Sequence, residues 1–297
     1  MPQTPRGGIT LEPERPRSRG RTLAGRLVML ALAGTVAVGG WAAYRQLSQS
    51  SVTEGCRVTV NSQTFEWATD QASNAAVITA IGVERGLPPR AASIAIATAM
   101  QESKVRNIRY GDRDSVGLFQ QRPSQGWGTV EQIMNPEYAT TKFYDALEKV
   151  DGYREMEIAV AAQAVQRSAD GSAYAQHEAM ARATASALSG QTPAAFGCAL
   201  ADVKGTPDGS LLTTLLKADH GLPATSSGRT ITVVAPDKDR AWSVGQWAVA
   251  RAKETGAVRV QVRDQVWTRA LSERAYTWGE VGASIAPNTV VITLARG

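Results

Sequence analysis

The stretch from Met100 to Gly128, MQESKVRNIRYGDRDSVGLFQQRPSQGWG, holds the densest set of groups able to do chemistry. Glu102 and Ser103 close an Ala-rich apolar segment. Two carboxylates, Asp112 and Asp114, follow in a glycine- and arginine-rich loop, which leads into the apolar turn Gly117-Leu118-Phe119-Gln120. Breaking a glycosidic bond needs a carboxylic acid that keeps its proton near neutral pH and gives it to the leaving oxygen, and apolar surroundings favour the protonated form. Glu102, at the end of an apolar helix, answers that need. On spacing alone, a solvated glutamate that merely closes a helix is the ordinary alternative.

Glu102-Ser103 followed by Gly117-Leu118-Phe119-Gln120 resembles the Glu-Ser and Gly-Leu-Met-Gln motifs of soluble lytic transglycosylases and goose-type lysozymes. Tyr110-Gly111-Asp112-Arg113 is similar to the Gly-Asp-Arg turn of the goose-type enzymes. The resemblance spans residues 65 to 195 and implies a mainly α, lysozyme-like domain acting on peptidoglycan, at the bond between N-acetylmuramic acid and N-acetylglucosamine. It makes Glu102 the general acid and gives Asp112 or Asp114 the task of positioning water or stabilising the oxocarbenium-like transition state. Asp112 is equally suited to capping its loop or pairing with Arg113. Gln120 would set its amide on sugar N-acetyl groups and Ser103 would hydrogen-bond near the acid, with Gln121 and Gln166 as further substrate contacts. Tyr110, Trp127, Tyr144 and Tyr174 are candidates for stacking on sugar rings, against the plainer reading of aromatic side chains as core.

Two departures from the family pattern stand out. The transglycosylases carry Ala-Tyr-Asn-Ala-Gly later in the domain, where this chain has Ala164-Val165-Gln166-Arg167-Ser168, without the tyrosine that lies near the acid. Gln121-Arg122 stands where the goose-type pattern has a second aspartate. Hydrolysis and lytic, anhydro-forming cleavage both stay open, as does a silent domain that only binds glycan in an envelope scaffold.

These residues need a helical frame. Apolar residues recur at three- and four-residue spacing from Gln71 to Leu188. The pattern predicts a helix over Gln71–Arg85, ended by Gly86-Leu87-Pro88-Pro89, a second from Pro89 to Glu102-Ser103, and others over Glu137–Val150, Glu157–Ser168 and Ser172–Leu188. After Cys198, residues 199–228 read as a Gly/Pro/Thr/Ser linker with one short amphipathic piece at Leu211–Lys217. Residues 229–297 then read as a small α/β domain of unassigned role and partner, with strands at Thr230–Ala235, Ala257–Val262 and Thr289–Leu294 and a helix at Asp239–Glu254. It holds Trp242, Trp247, Trp267 and Trp278, read as a small core before a binding surface. The expected architecture is thus a mainly α lysozyme-like domain over residues 56–198, a small α/β domain, and one N-terminal transmembrane helix.

Charge and cysteines set the compartment. The net charge of +5 is concentrated at the start, where residues 1–26 carry six arginines against Glu12 and Glu14. No basic run follows in a folded segment, which argues against nucleic acid as a partner. Leu27 to Tyr44 is uncharged and about 27 Å long as a helix, enough to cross a bilayer core. With the arginines before it, residues 27–45 read as an anchor that leaves the N-terminus inside and exports the rest. A cleaved signal peptide is the rival reading. Cys56 and Cys198, both on the exported side, are free to pair, with two buried thiols as the alternative. His177 and His220 lie in different segments, so no metal ligand set is expected, and no cofactor is implied.

Overall fold

The computed structural model describes residues 52–166 and 172–296. Strands β1 (Gly55–Val60) and β2 (Gln63–Trp67) pair antiparallel around Asn61 and Ser62, whose φ values of 50° and 63° make the two-residue turn that matches strand twist. Cys56 and Val58 on β1 face the core.

Helices α1 (Thr69–Glu84), α2 (Pro89–Ser103), α3 (Val130–Ile133), α4 (Pro136–Leu147), α5 (Ile158–Gln166) and α6 (Glu178–Leu188) follow. Every residue of α2 from Ala91 to Ala99 is buried, because α1, α4, α5 and α6 surround it and its alanines let them approach. Pro89 suits the first turn of α2 since it lacks the N–H that would go unpaired there. β3 (Phe196–Ala199) then returns to β1, giving the order β2-β1-β3 and setting Cys56 opposite Cys198, where the two form a disulfide.

The stretch read as a linker contains α7 (Gly209–His220) and β4 (Ala224–Ser227). Asp208 caps α7 through Ser210 N at 2.8 Å, and Gly221, at φ +68°, ends it. Leu212 and Leu216, four apart, bury the stripe that holds it, a signal diluted by the Gly, Ser and Thr around it. β5 (Thr230–Val234), α8 (Lys238–Ala250), α9 (Ala252–Thr255), β6 (Ala257–Val262), β7 (Gln265–Thr268), β8 (Gly279–Glu280) and β9 (Thr289–Leu294) complete the chain. The second sheet is antiparallel throughout, in the order β4-β5-β9-β6-β7-β8.

The expected mainly α lysozyme-like domain with a separate α/β domain is therefore corrected. The described residues are 45% helical and 18% strand, in a mixed α/β structure with two antiparallel sheets, and Val52–Gly297 form one compact unit. The reason lies in α8, which packs on β6 and β9 and also on α1, α6 and β3. Its fully buried Gln246 accepts from Ala195 N and Phe196 N at 2.9 and 2.8 Å and donates to Ala187 O and Thr192 O. Trp278 Nε1 donates to Phe196 O at 2.9 Å and Trp267 Nε1 to Ala275 O at 2.8 Å. Trp242, Trp247 and Trp267 are buried in this shared core. The expected transmembrane helix at 27–45 and the tail at 1–26 lie outside the described residues, among which no helix is long and apolar enough to cross a membrane.

Candidate active site

Glu102 stands in the last turn of α2, half-buried. Tyr174 Oη donates to its Oε1 at 2.7 Å. Tyr174 is itself buried, in the 3-10 turn Ser172–His177. That turn is fastened to the preceding residue as well: Gln101 Oε1 lies 3.1 Å from His177 Nε2 and accepts from Gln176 Nε2 at 3.4 Å. Burial, with a smaller push from Lys104, holds His177 below the usual histidine value, so a neutral ring faces Gln101. Among the described residues, no ion pair reaches Glu102.

Directly after Ser103 the backbone turns left-handed twice, at Lys104 (φ 58°) and Val105 (φ 56°). A β-branched residue rarely adopts this conformation, which costs about 1–3 kcal/mol and persists only where the surroundings hold it. Here α1 holds it. Gln71 Nε2 donates to Lys104 O at 2.7 Å, Asn74 Nδ2 to Val105 O at 2.9 Å, and Arg106 Nε pairs with Asp70 at 2.8 Å. Two further left-handed residues, Arg113 (φ 55°) and Gln120 (φ 49°), lie in the loop that follows. Strain of this kind gathers at functional sites. Sequence reasoning missed Gln71 and Asn74; the signal was a polar pair three residues apart in an otherwise Ala-rich helix.

The Gly117–Gln120 turn is held by two of the expected residues. Ser103 Oγ lies 2.7 Å from Leu118 O, and Gln166 Nε2 donates to Phe119 O at 2.8 Å. Phe119 stacks on Phe143 with centroids 4.6 Å apart. At Gly117, φ is +80° and a Cβ would lie 2.9 Å from Ile133 O, so glycine is needed there. Gln120 folds back on its own loop: its Nε2 is 3.3 Å from both Tyr110 O and Gly117 O, and a Cβ on Gly111 would strike its Oε1 at 1.7 Å.

The other expected residues divide between surface and scaffold. Asp112 is exposed, with Arg113 Nε 3.9 Å away, and Tyr110 is 75% exposed. Asp114 accepts from Ser124 N (2.7 Å), Arg122 Nε (2.9 Å) and Ser124 Oγ (2.9 Å), which together hold its carboxyl well below the usual range. Gln121 is buried and donates to Ala139 O at 3.1 Å, tying the loop to α4. Tyr144 is fully buried and donates to Ile78 O at 2.8 Å, so it packs the core and presents no face to a sugar. Burial pushes its hydroxyl far up. Trp127 is half-buried and lines a groove of about 810 Å³ with Lys142, Lys149 and Gln166.

Glu102, Ser103, the Gly117–Gln120 turn, Gln166 and Tyr174 are thus joined by contacts, while Asp114, Gln121 and Tyr144 serve the scaffold. Among the described residues, no group of three or more His, Cys, Asp or Glu is placed to hold a metal ion. The sequence matches no protein-family model and no curated protein.

Proposed function

We propose that this protein cleaves the glycan strands of peptidoglycan between N-acetylmuramic acid and N-acetylglucosamine, anchored through residues 27–45 at the outer face of the cytoplasmic membrane. The observation that carries the reading is the 2.7 Å hydrogen bond from Tyr174 to Glu102, at the end of a buried helix and beside a strained backbone. The resemblance of Glu102-Ser103 and Gly117-Leu118-Phe119-Gln120 to the transglycosylase and goose-type motifs supports the substrate class. Tyr174 brings a hydroxyl to the acid in a chain that lacks the family's tyrosine at Val165-Gln166.

In this reading Glu102 gives its proton to the glycosidic oxygen as the bond to C1 breaks. The oxocarbenium-like sugar is captured at C1 by a hydroxyl oxygen, whose proton passes to the Glu102 carboxylate and restores the acid. Asp114 is engaged with Arg122 and Ser124, and Asp112 is exposed. With Glu102 the one carboxylate that the described residues bring to the site, capture by the sugar's own C6 hydroxyl is favoured over capture by water that a second carboxylate would activate. Mass spectrometry of purified peptidoglycan incubated with the full-length chain and with Glu102→Gln tests this. Anhydro-muropeptides from the parent alone are expected, and reducing ends would move the mechanism to hydrolysis. A second reading, glycan binding without turnover, draws on the exposure of Asp112; retention of glycan with no products from either protein would establish it and sink the first.

A further inference from the structure

We infer that the groove sharing Gln166 with the Glu102 seat binds a carboxylate-bearing N-acetylated sugar, its ring on Trp127 and its acid group between Lys142 and Lys149; this rests on the glycan-cleaving reading. The groove encloses about 810 Å³. Gln166 links it to the seat, since its amide holds Phe119 O while Ser103, next to Glu102, holds Leu118 O. The groove and the acid are thus tied to neighbouring carbonyls of one turn, Phe119 O and Leu118 O.

Two independent features define the ligand. Trp127 packs against the core yet stays half-exposed, which leaves an indole surface toward the groove, the amphipathic platform that sugar rings use. The charge is the second feature. Lys142 and Lys149 both line the groove, and Asp145 is the one acid among its described lining residues. Asp145 belongs to Arg85, whose Nη2 is 2.9 Å away. Lys142 lies farther from it, at 4.0 Å, with its ammonium 5.5 Å from the Tyr138 ring, and Lys149 has no ion pair among the described residues. The groove is therefore cationic beside an aromatic platform. A neutral chitin-like strand would leave both ammonium groups unused. Peptidoglycan strands supply carboxylates from two sources, the lactyl ether of the muramic sugar and the peptide stem attached to it, and both present the same chemistry to the lysines.

The test measures equilibrium binding of the full-length chain carrying Glu102→Gln, so that strands stay intact. Three soluble probes are used: strands bearing peptide stems, strands stripped by an amidase to free lactyl carboxylates, and chito-oligosaccharides, which carry no carboxylate. Adding Lys142→Met and Lys149→Met should weaken binding of a carboxylate-bearing probe about tenfold, the effect shrinking at high salt, and leave chito-oligosaccharide binding unchanged. A loss confined to stem-bearing strands assigns the stem, and a loss with stripped strands assigns the lactyl group. Equal affinity of the lysine variant and its parent for all probes, or no binding of either carboxylate-bearing probe, overturns the inference. Trp127→Leu should weaken all three probes; should that variant lose its circular dichroism signal, the lysine pair decides alone. Because the readout is binding in a protein without the acid, failure of the cleavage assay sinks the glycosidase reading separately from this one.

Discussion

Replacing Gln246 by Leu tests whether the helices and the second sheet share one core. The side chain is fully buried, and its loss strips partners from two backbone N–H groups, at Ala195 and Phe196, and from two carbonyls, at Ala187 and Thr192. Ala187 O keeps a bond from Gly190 N, so three groups are orphaned. Each buried orphan costs about 1–3 kcal/mol, partly offset by the apolar side chain, which gives a loss of about 4 kcal/mol. That is a large part of the stability of an ordinary domain. Urea titration should be followed by far-UV circular dichroism, which reports the helices, and by tryptophan fluorescence, which reports the second sheet because four of the seven tryptophans lie after residue 241. Both signals should move together to lower denaturant with an unchanged slope. A loss under about 1 kcal/mol, or a fluorescence transition that stays in place while the helical signal shifts, would refute the shared core.

The double variant Cys56→Ala/Cys198→Ala opens a loop of sequence separation 142 and should cost about 5 kcal/mol in the chain-entropy picture, read from denaturation of parent and variant; a cost under about 1 kcal/mol would mean that strand pairing alone fixes β1 to β3. His220 and Asp219 give a pH test with opposing signs. Burial, then Arg240 and Arg251, push His220 down to about 3, so its contribution to stability is present above its ordinary 6.5 and is lost as pH falls. Burial pushes Asp219 up to about 6 against Arg251 and Trp247, so its contribution is present below its ordinary 3.8 and is lost as pH rises through 6. The parent should change little between about pH 6 and 4, whereas His220→Leu, which removes no hydrogen bond from either ring nitrogen, should gain about 2 kcal/mol as pH falls over that range; a variant as flat as the parent would show the histidine is not the opposing group. Tyr174→Phe keeps the buried ring but removes the donor to Glu102, and should lower turnover roughly 10- to 100-fold at unchanged glycan affinity; undiminished turnover would remove Tyr174 from the mechanism.

What was legible in the sequence was periodic or punctuated. The helix from Pro89 to Ser103 and the strands Ala257–Val262 and Thr289–Leu294 are found at the expected bounds, because proline opens the first and β-branched residues fill the others. β1, β2 and β3 were missed because they are short: β1 and β2 close a hairpin on Asn61-Ser62, which carries no glycine, and β3 joins β1 only across a long stretch of chain, where the expected pairing of Cys56 with Cys198 was the one sign that these segments meet. The shared core was missed for a related reason: Gln246 reads as an ordinary polar position on a helix and becomes structural only when the backbone of residues 187–196 surrounds it. At the site, residue type pointed to Glu102 and the family resemblance to Ser103 and Gln166, but their partners did not follow. Asp114 has the composition of a catalytic carboxylate and the geometry of a loop cap.

The contacts around Glu102 also bear on which chemistry the site is built for. Glu102 is carried by a helix whose Ala91–Ala99 stretch is wholly buried, so its position is fixed by the core. Asp112 is carried by a loop that begins beyond two left-handed residues clamped to α1, with its side chain 88% exposed. A mechanism needing two carboxylates at set separation would require that loop to place Asp112 as firmly as α2 places Glu102, and the clamp from Gln71 and Asn74 fixes only where the loop departs. A mechanism needing one carboxylate requires only what α2 and Tyr174 already hold in place. Gln71→Ala/Asn74→Ala separates the two: cleavage governed by Glu102 alone should survive loosening of the loop with its product type unchanged, whereas a shift between anhydro and reducing-end products would bring Asp112 into the reaction.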